Sequence, residues 1–391
     1  MISFEEALER MLASTRPLAS ELIPFEQCNG RVLAEDVRSD MDMPPFDKSA
    51  MDGFACRRQD LPGPFRIIEE IPAGRMPVRT IGAGEASRIM TGAPLPPGAD
   101  CVFMLEDSVA DVDERVSFTG QSTSDNYCRR AEDLHVGDVV LKKGELLGPA
   151  HLAVLATVGQ AEVRVSCRPH IAVIATGSEL VDARKKPEGA AIRNSNSPQL
   201  MAQAVNAGAA PRYYGIVPDS IEATREAIVR ARQENDVLLL SGGVSCGDFD
   251  YVPRALLDVG YKFLFESVAM QPGRPTVFGS DGNTWCLGLP GNPVSTYIIF
   301  EMMLKPFLYR LMGHAFQPRI FKARLAEGIS RKKAARQSSV PVRLLADGSV
   351  ASIEYHGSAH IGTMAGADGL VTLPVGCLEL KQGDSVDVRP L

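Results

Sequence analysis

Hydrophobic and polar positions follow three different rhythms along this chain, and the changes of rhythm outline its architecture. Near the start, Ser3-Phe-Glu-Glu6 reads as a capping box, and Phe4, Leu8, Met11 and Leu12 share one face of the helix it opens. From about residue 20 to 165 the pattern becomes short β-like runs broken by Pro62-Gly-Pro64, Pro72-Ala-Gly74 and Pro94-Leu-Pro-Pro-Gly98, the punctuation of a β-rich region with an inserted lobe. At His170 the pattern changes again. Ile171-Ala-Val-Ile-Ala175 is continuously apolar, as in a strand covered on both faces, and it ends in Thr176-Gly-Ser-Glu-Leu180. A helix is expected from Ser197-Pro198, with Ser as N-cap and Pro at the first helical position. Another is expected after Asp219-Ser220, running through Ile228 to Gln233, with apolar strands at 237–240 and 285–287. This alternation predicts a parallel, doubly wound α/β domain. After Gly313 short strands return, with turns at Asp347-Gly348 and Gln382-Gly-Asp384.

The expected division is therefore an N-terminal helical and linker region (1–48 and 140–168), an inserted β-rich lobe (49–139), the α/β domain (169–314) and a small C-terminal β-barrel-like domain (315–391). A chain of 391 residues exceeds one ordinary core, in keeping with several domains. The net charge of −7, with no block of like charge, argues against a nucleic-acid surface. The most apolar helix, 294–312, contains Glu301, Lys305, Pro306 and Arg310, which favours a buried or subunit-facing helix over a membrane span. Eight cysteines are scattered without a Cys-x-x-Cys pair, and the N-terminus lacks a basic-then-apolar signal. Both features suit a reducing, cytoplasmic setting.

Two glycine turns carry the candidate chemistry. Ser241-Gly-Gly-Val-Ser-Cys-Gly-Asp-Phe-Asp-Tyr251 and Leu289-Pro-Gly-Asn-Pro-Val-Ser295 each follow a strand-like run and lead into a helical pattern. That arrangement exposes backbone N–H groups to an anion at a sheet edge. Asp250 at such an edge can hold Mg²⁺ beside a phosphate, with Asp248 as a helix cap or outer partner. The plainer reading of Asp250 is itself a cap. Gly242, Gly243, Pro290, Gly291 and Pro293 shape the turns, and Ser295 falls in the first turn of a helix whose N-terminus attracts negative charge. Gly243-Val-Ser-Cys-Gly247 also fits a hydrolase nucleophile elbow at Ser245, but no oxyanion segment precedes it. His356 and His360 have helical spacing in a β-like, glycine-containing context, so loop histidines are the better reading.

These turns, together with Pro44-Pro-Phe-Asp-Lys-Ser-Ala-Met-Asp-Gly-Phe54, Arg88-Ile-Met-Thr-Gly-Ala-Pro94, Arg130-Ala-Glu-Asp133 and Thr176-Gly-Ser-Glu-Leu180, resemble the molybdopterin molybdenumtransferases, enzymes similar to the E domain of gephyrin and its plant counterparts. The likeness is collinear over essentially the whole chain. It implies a central domain of the molybdopterin-binding type, and insertion of molybdate into adenylylated molybdopterin with magnesium-dependent release of AMP. It also implies an elongated homodimer in which the lobe of one subunit closes the site of the other, and a possible molybdopterin adenylyltransferase partner. No membrane partner is expected. On this resemblance Asp250 and Glu179 hold the metal, and Asp52, Thr91 and Asp133 enter the cleft from the second subunit. Asp219 matches a further acidic position, although its plain reading is an N-cap. Gln271 and Arg274 stand where many relatives carry lysines suited to an oxyanion, and Arg274 can compensate bidentately. Arg343 and Ser358 match positions near that site, and Ala131 replaces a usual glycine. Two other readings stay open: adenylylation of molybdopterin from ATP, and a non-catalytic scaffold that binds a peptide in the dimer cleft.

Overall fold

A computed structural model describes residues 1–110, 114–244, 250–353 and 357–391. Ser245, Asp248 and His356, all singled out above, lie outside the described residues.

The organising element is a six-stranded sheet made of β1 (His170–Thr176), β2 (Ala210–Val217), β3 (Val237–Ser241), β4 (Lys262–Phe265), β5 (Val277–Ser280) and β6 (Trp285–Leu289), in the order β2-β1-β3-β6-β5-β4. The first four in that order are mutually parallel, β5 runs against them, and β4 at the edge pairs antiparallel with β5 and so points the same way as the first four. The expected all-parallel sheet is thus mixed. Between β5 and β6 only Asp281 to Thr284 intervene, and so short a link can only reverse the chain. Helices cover both faces, as a doubly wound fold requires. Ile171, Val173 and Leu239 face one core with α2 (Asn196–Asn206) and the long helix after β6. Ala172, Ile174 and Leu240 face the other with α3 (Ile221–Ala231) and α4 (Val252–Asp258). Every β1 residue from Ile171 to Ile174 is fully buried, which explains its unbroken apolar run.

One helix start differs from expectation, and a second helix starts after Asp219-Ser220 as expected. α2 begins at Asn196, so Ser197 lies inside the helix and does not cap it: Asn194 Oδ1 accepts the Ser197 N–H at 3.1 Å, and Asn194 Nδ2 donates to Ser197 Oγ at 2.9 Å. α3 is capped by Ser220, whose hydroxyl accepts from Ala223 N–H, so Asp219 is free of the capping role. The helix after β6 runs as α5 (Pro293–Ile299), a π turn over Phe300–Leu304 and α6 (Lys305–Leu311). Glu301, buried at the π turn, accepts from Gln203 Nε2 at 2.9 Å and pairs with Lys305 at 2.8 Å. Among the described residues no helix is long and apolar enough to cross a membrane.

The first helix of the chain, Phe4–Ala13, is capped by Ser3 as expected, but it packs on the central sheet and not in the N-terminal region. Ala7 and Met11 join the central core, and Arg10 donates to the Leu264 carbonyl at 2.8 Å. The N-terminal core is built instead from residues 23–37 and 141–165, where strands Ser20–Pro24 and Glu162–Ser166 pair antiparallel. Between them the lobe forms its own six-stranded sheet. Phe103 stacks there with Phe54 at 5.4 Å and meets Phe65 and Phe118 at 5.8 and 5.5 Å. Cys56 and Cys101, far apart in sequence, face each other across two of its strands as free thiols with Sγ atoms 3.6 Å apart. The C-terminal sheet takes Met270–Gln271 from the central region as an edge strand alongside Gln337–Leu344.

Ala131, at φ +61°, occupies backbone space that suits glycine. Relief of that strain exceeds the backbone entropy that glycine loses on folding. Ala131→Gly is therefore expected to stabilise the protein by about 0.5 kcal/mol, read as a higher urea midpoint at unchanged slope. An equal or lower midpoint would remove strain at this position from the account.

Candidate active site

In an open α/β sheet a ligand crevice forms at the carboxyl edge, where successive connections leave a strand in opposite directions. Here β2 lies to one side of β1 and β3 to the other, so the crevice falls between the carboxyl ends of β1 and β3. A cavity of about 650 Å³ occupies that place, a size typical of small-molecule sites. Its wall combines Thr176 and Gly177 after β1, Asp219 after β2, Gly242 and Gly243 after β3, and Pro290, Gly291 and Pro293 after β6. Glu179 and Asp250 line the same cavity, so the two expected metal ligands are brought together with both glycine turns.

Close backbone contact makes this geometry possible. Gly242 has φ +101°, and a Cβ there would stand 2.3 Å from the Thr176 carbonyl oxygen. No L side chain fits that space. The Gly242 N–H donates to the Leu289 carbonyl at 3.0 Å, tying the first turn to the end of β6. The two turns are further clamped by Asn196, whose Nδ2 donates to Ser241 Oγ at 2.7 Å and to the Gly291 carbonyl at 2.8 Å. Asn196 was not foreseen from the sequence. The only signal was the polar run Asn194-Ser-Asn-Ser197 before a helix, which reads equally as ordinary capping. Asp219 holds the loop after β1 reciprocally: its carboxylate accepts from Ser178 N–H at 2.8 Å, and its own N–H donates to Ser178 Oγ at 3.0 Å.

Asp250 also lines a neighbouring cavity that Arg274 lines as well, while Pro275 lines the first cavity. Asp250 and Val244 are thus common to both cavities. Gln271, by contrast, is exposed on the edge strand of the C-terminal sheet and lines neither cavity, because pairing with Ser338 fixes it there. Ser295 is 3% exposed and lies off the cavity wall. The start of its helix is occupied by the protein itself, since Val294 N–H donates to the Ser358 carbonyl at 3.0 Å. Asn292 Nδ2 donates to Ser358 Oγ at 2.8 Å, and Ala359 and Ile361 beside it close one side of the cavity. Ser358 thus sits at the rim. Arg343 is exposed in the C-terminal sheet and absent from the cavity wall.

Asp52, Thr91 and Asp133 are exposed and do not line the cavity within their own chain. Asp52 and Thr91 bind each other: the Thr91 N–H donates to Asp52 Oδ1 at 2.6 Å, and its hydroxyl at 2.7 Å. Those two donors, the backbone one foremost, hold the Asp52 carboxyl below the usual carboxylate range. Among the described residues no cluster of three His, Cys, Asp or Glu side chains is arranged to hold a metal ion. The donor set suits magnesium nonetheless. That ion takes one or two carboxylates and fills its octahedron with water and phosphate oxygens, and two carboxylates beside anion-facing turns meet this need.

Family models of the MoeA N-terminal region (domains I and II), a probable molybdopterin binding domain and the MoeA C-terminal region (domain IV) match residues 2–159, 172–310 and 322–391. The chain is 36% identical over 398 residues to the molybdopterin molybdenumtransferase of Staphylococcus aureus (strain Mu50 / ATCC 700699), covering 99% of this chain and 95% of that one. It has the same identity over 400 residues to the Staphylococcus epidermidis (strain ATCC 12228 / FDA PCI 1200) protein of that name, with the same coverage. Among solved structures, the molybdopterin biosynthesis moeA protein from Pyrococcus horikoshii OT3 superposes with a TM-score of 0.87 at 27% identity over the whole of both chains.

Gly242→Ala is expected to cost roughly 2–4 kcal/mol, from left-handed strain and from the clash with the Thr176 carbonyl. Chemical denaturation measures it, and a cost below about 0.5 kcal/mol would show that the turn can open without loss. For Asp52, the depressed folded-state pKa makes its contribution to stability complete above about pH 4 and lost as pH falls through the lower folded value. Thr91→Ala should move the Asp52 titration, followed by carboxyl NMR, upward toward the ordinary range. An unmoved titration would show that Thr91 is not the cause.

Proposed function

The chain belongs to the molybdopterin molybdenumtransferase family, and on that premise we infer that it inserts molybdate into adenylylated molybdopterin with magnesium-dependent release of AMP. The observation that carries this reading is the meeting of Glu179 and Asp250 with both glycine turns around one cavity at the carboxyl edge of the sheet. Asp250 and Glu179 would hold the magnesium. When bound, the ion neutralises phosphate charge and polarises the phosphoryl group. The turns at 242–243 and 290–291 bring backbone against the phosphate, with Asn196 fixing their separation. Asp219 positions the loop that carries Glu179. Arg193 on the wall of this cavity and Arg274 in the neighbouring one, which Asp250 also lines, are cations available to the oxyanion. The protein's share of catalysis is positioning and charge neutralisation.

Asp52, Thr91 and Asp133 enter this reading through a second copy of the chain. Their exposure away from the cavity supports it, as do Met51 and Leu105 beside Asp52, exposed at 42% and 46%. Large apolar side chains left in water next to polar candidates suit burial against a partner. Transfer of adenylylated molybdopterin from an adenylyltransferase, in the cytoplasm, completes the proposal. The described cysteines are free thiols, including the facing pair in the lobe, as suits a reducing compartment.

The adenylyltransferase and scaffold readings are less favoured, because the likeness to full-length molybdenumtransferases extends through both the N-terminal and C-terminal regions. Asp250→Ala and Glu179→Ala should each lower molybdate-dependent AMP release by at least about 100-fold, the several kcal/mol that a bound metal supplies to charge stabilisation. Mass analysis of the nucleotide products checks this. Pyrophosphate formed from ATP, or AMP release undiminished in both variants, would overturn the assignment.

A further inference from the structure

The molecule has a second large cavity, and its electrostatic character is opposite to that of the first. Where Glu179, Asp219 and Asp250 outnumber Arg193 on the wall of the first cavity, this one, of about 850 Å³, is walled by Lys142, Lys143, Lys305, Arg319 and Arg389. Glu145 is the one acidic side chain on its wall among the described residues. The cavity lies where three distant parts of the chain meet: the turn at 142–146, the end of α6 with the linker at 313–319, and the last strand at 389–391.

Its cations form two tiers. The inner tier is fixed: Lys305 pairs with Glu301 at 2.8 Å, while Arg389 donates to the Glu301 carbonyl and to Met302 Sδ, neither of them a carboxylate. Burial pulls the Arg389 guanidinium below its ordinary value, with the Glu301 charge opposing that shift. Both cations face the Phe316 ring, at 5.9 Å for Lys305 and 6.0 Å for Arg389, and Tyr309 stacks on the same ring at 5.0 Å. The outer tier is Lys142, Lys143 and Arg319. All three are exposed, and none makes an ion pair within the described residues. Two histidines complete the wall with defined tautomers. His314 Nδ1 lies 2.7 Å from the Gly144 carbonyl, which can only accept, so that nitrogen carries a proton. His151 Nδ1 accepts from Gly148 N–H at 3.1 Å, which leaves its Nε2 as a donor.

With Lys305 paired to Glu301 and Glu145 opposing, Lys142, Lys143, Arg319 and Arg389 still leave this concavity a local excess of positive charge in a protein of net charge −7. A basic cleft of this kind focuses its potential on small anions. Lysine and arginine heads suit phosphate oxygens in particular. We propose that this cavity binds a multiply charged oxyanion of the phosphate class. Lys142, Lys143 and Arg319 hold its charge, and any organic portion lies against Tyr309 and Phe316. This site is separate from the cavity that holds Asp250, and its occupant needs no metal ion.

Calorimetry in the presence of a chelator tests the assignment, because loss of the metal weakens phosphate binding at the first cavity and charge reversals assign the binding that remains. Inorganic phosphate and phenyl phosphate are titrated into the wild-type chain, into a Lys142→Glu, Lys143→Glu double variant and into Arg319→Glu. The expected result is one site per wild-type chain, weakened at least tenfold in both variants, with molybdate-dependent AMP release unchanged. Tighter binding of phenyl phosphate would identify an organic phosphate as the ligand, and equal affinities the free anion. Absence of binding to the wild type, or affinities unmoved by the charge reversals, would overturn the proposal. Both variants alter exposed side chains, and their unfolding temperatures confirm that they remain folded.

Discussion

The approach of the Gly242 backbone to the Thr176 carbonyl is the contact on which the candidate site depends. It lets the turn after β3 fold inward beside the end of β1, where a Cβ would meet that carbonyl at 2.3 Å. The Leu289 carbonyl and the Asn196 amide then draw the second turn against the first. The sheet order places these turns next to each other, since β3 has β1 and β6 as its neighbours. Anion-facing backbone thus follows from a packing requirement, and Glu179 and Asp250 add charge to a scaffold that already exists.

Charge is divided between two cavities. Acidic side chains surround the turns, where a divalent cation can bridge them to phosphate, and basic side chains surround the junction of the N-terminal region, α6 and the last strand. An acidic cavity binds phosphate only through a cation, whereas a basic one binds it directly. The separation explains how a chain with an overall negative charge can offer both environments. The Glu301–Lys305 pair at the π turn borders the basic cavity, and Gln203 on α2 ties that pair back to the helix that also carries Asn196.

Much of the central domain was legible in local pattern. Ile171 to Ala175 reads as a doubly covered strand because every one of its side chains leaves water and the run is too short for a buried helix. The glycine turns were legible for a similar reason, since Gly-Gly and Pro-Gly restrict the backbone to few shapes. Asn196 was not legible. A short polar run before a helix serves capping and clamping equally well, and only the arrival of Ser241 and Gly291 beside it separates the two. Gln271 and Ser295 failed as cavity residues for a related reason: one was drawn into strand pairing with the C-terminal sheet, the other into the core beneath α5.

The sequence by itself determined the layered α/β domain, the β-rich flanks and the chemistry of the turns, because periodicity and turn composition act over a few residues. The tertiary structure alone decided which turns share a cavity, that the first helix serves the central core, and that Cys56 meets Cys101. It alone gathered five cations from three distant segments into one cleft. Such meetings depend on strand order and packing between residues tens to hundreds of positions apart, and no local pattern encodes them.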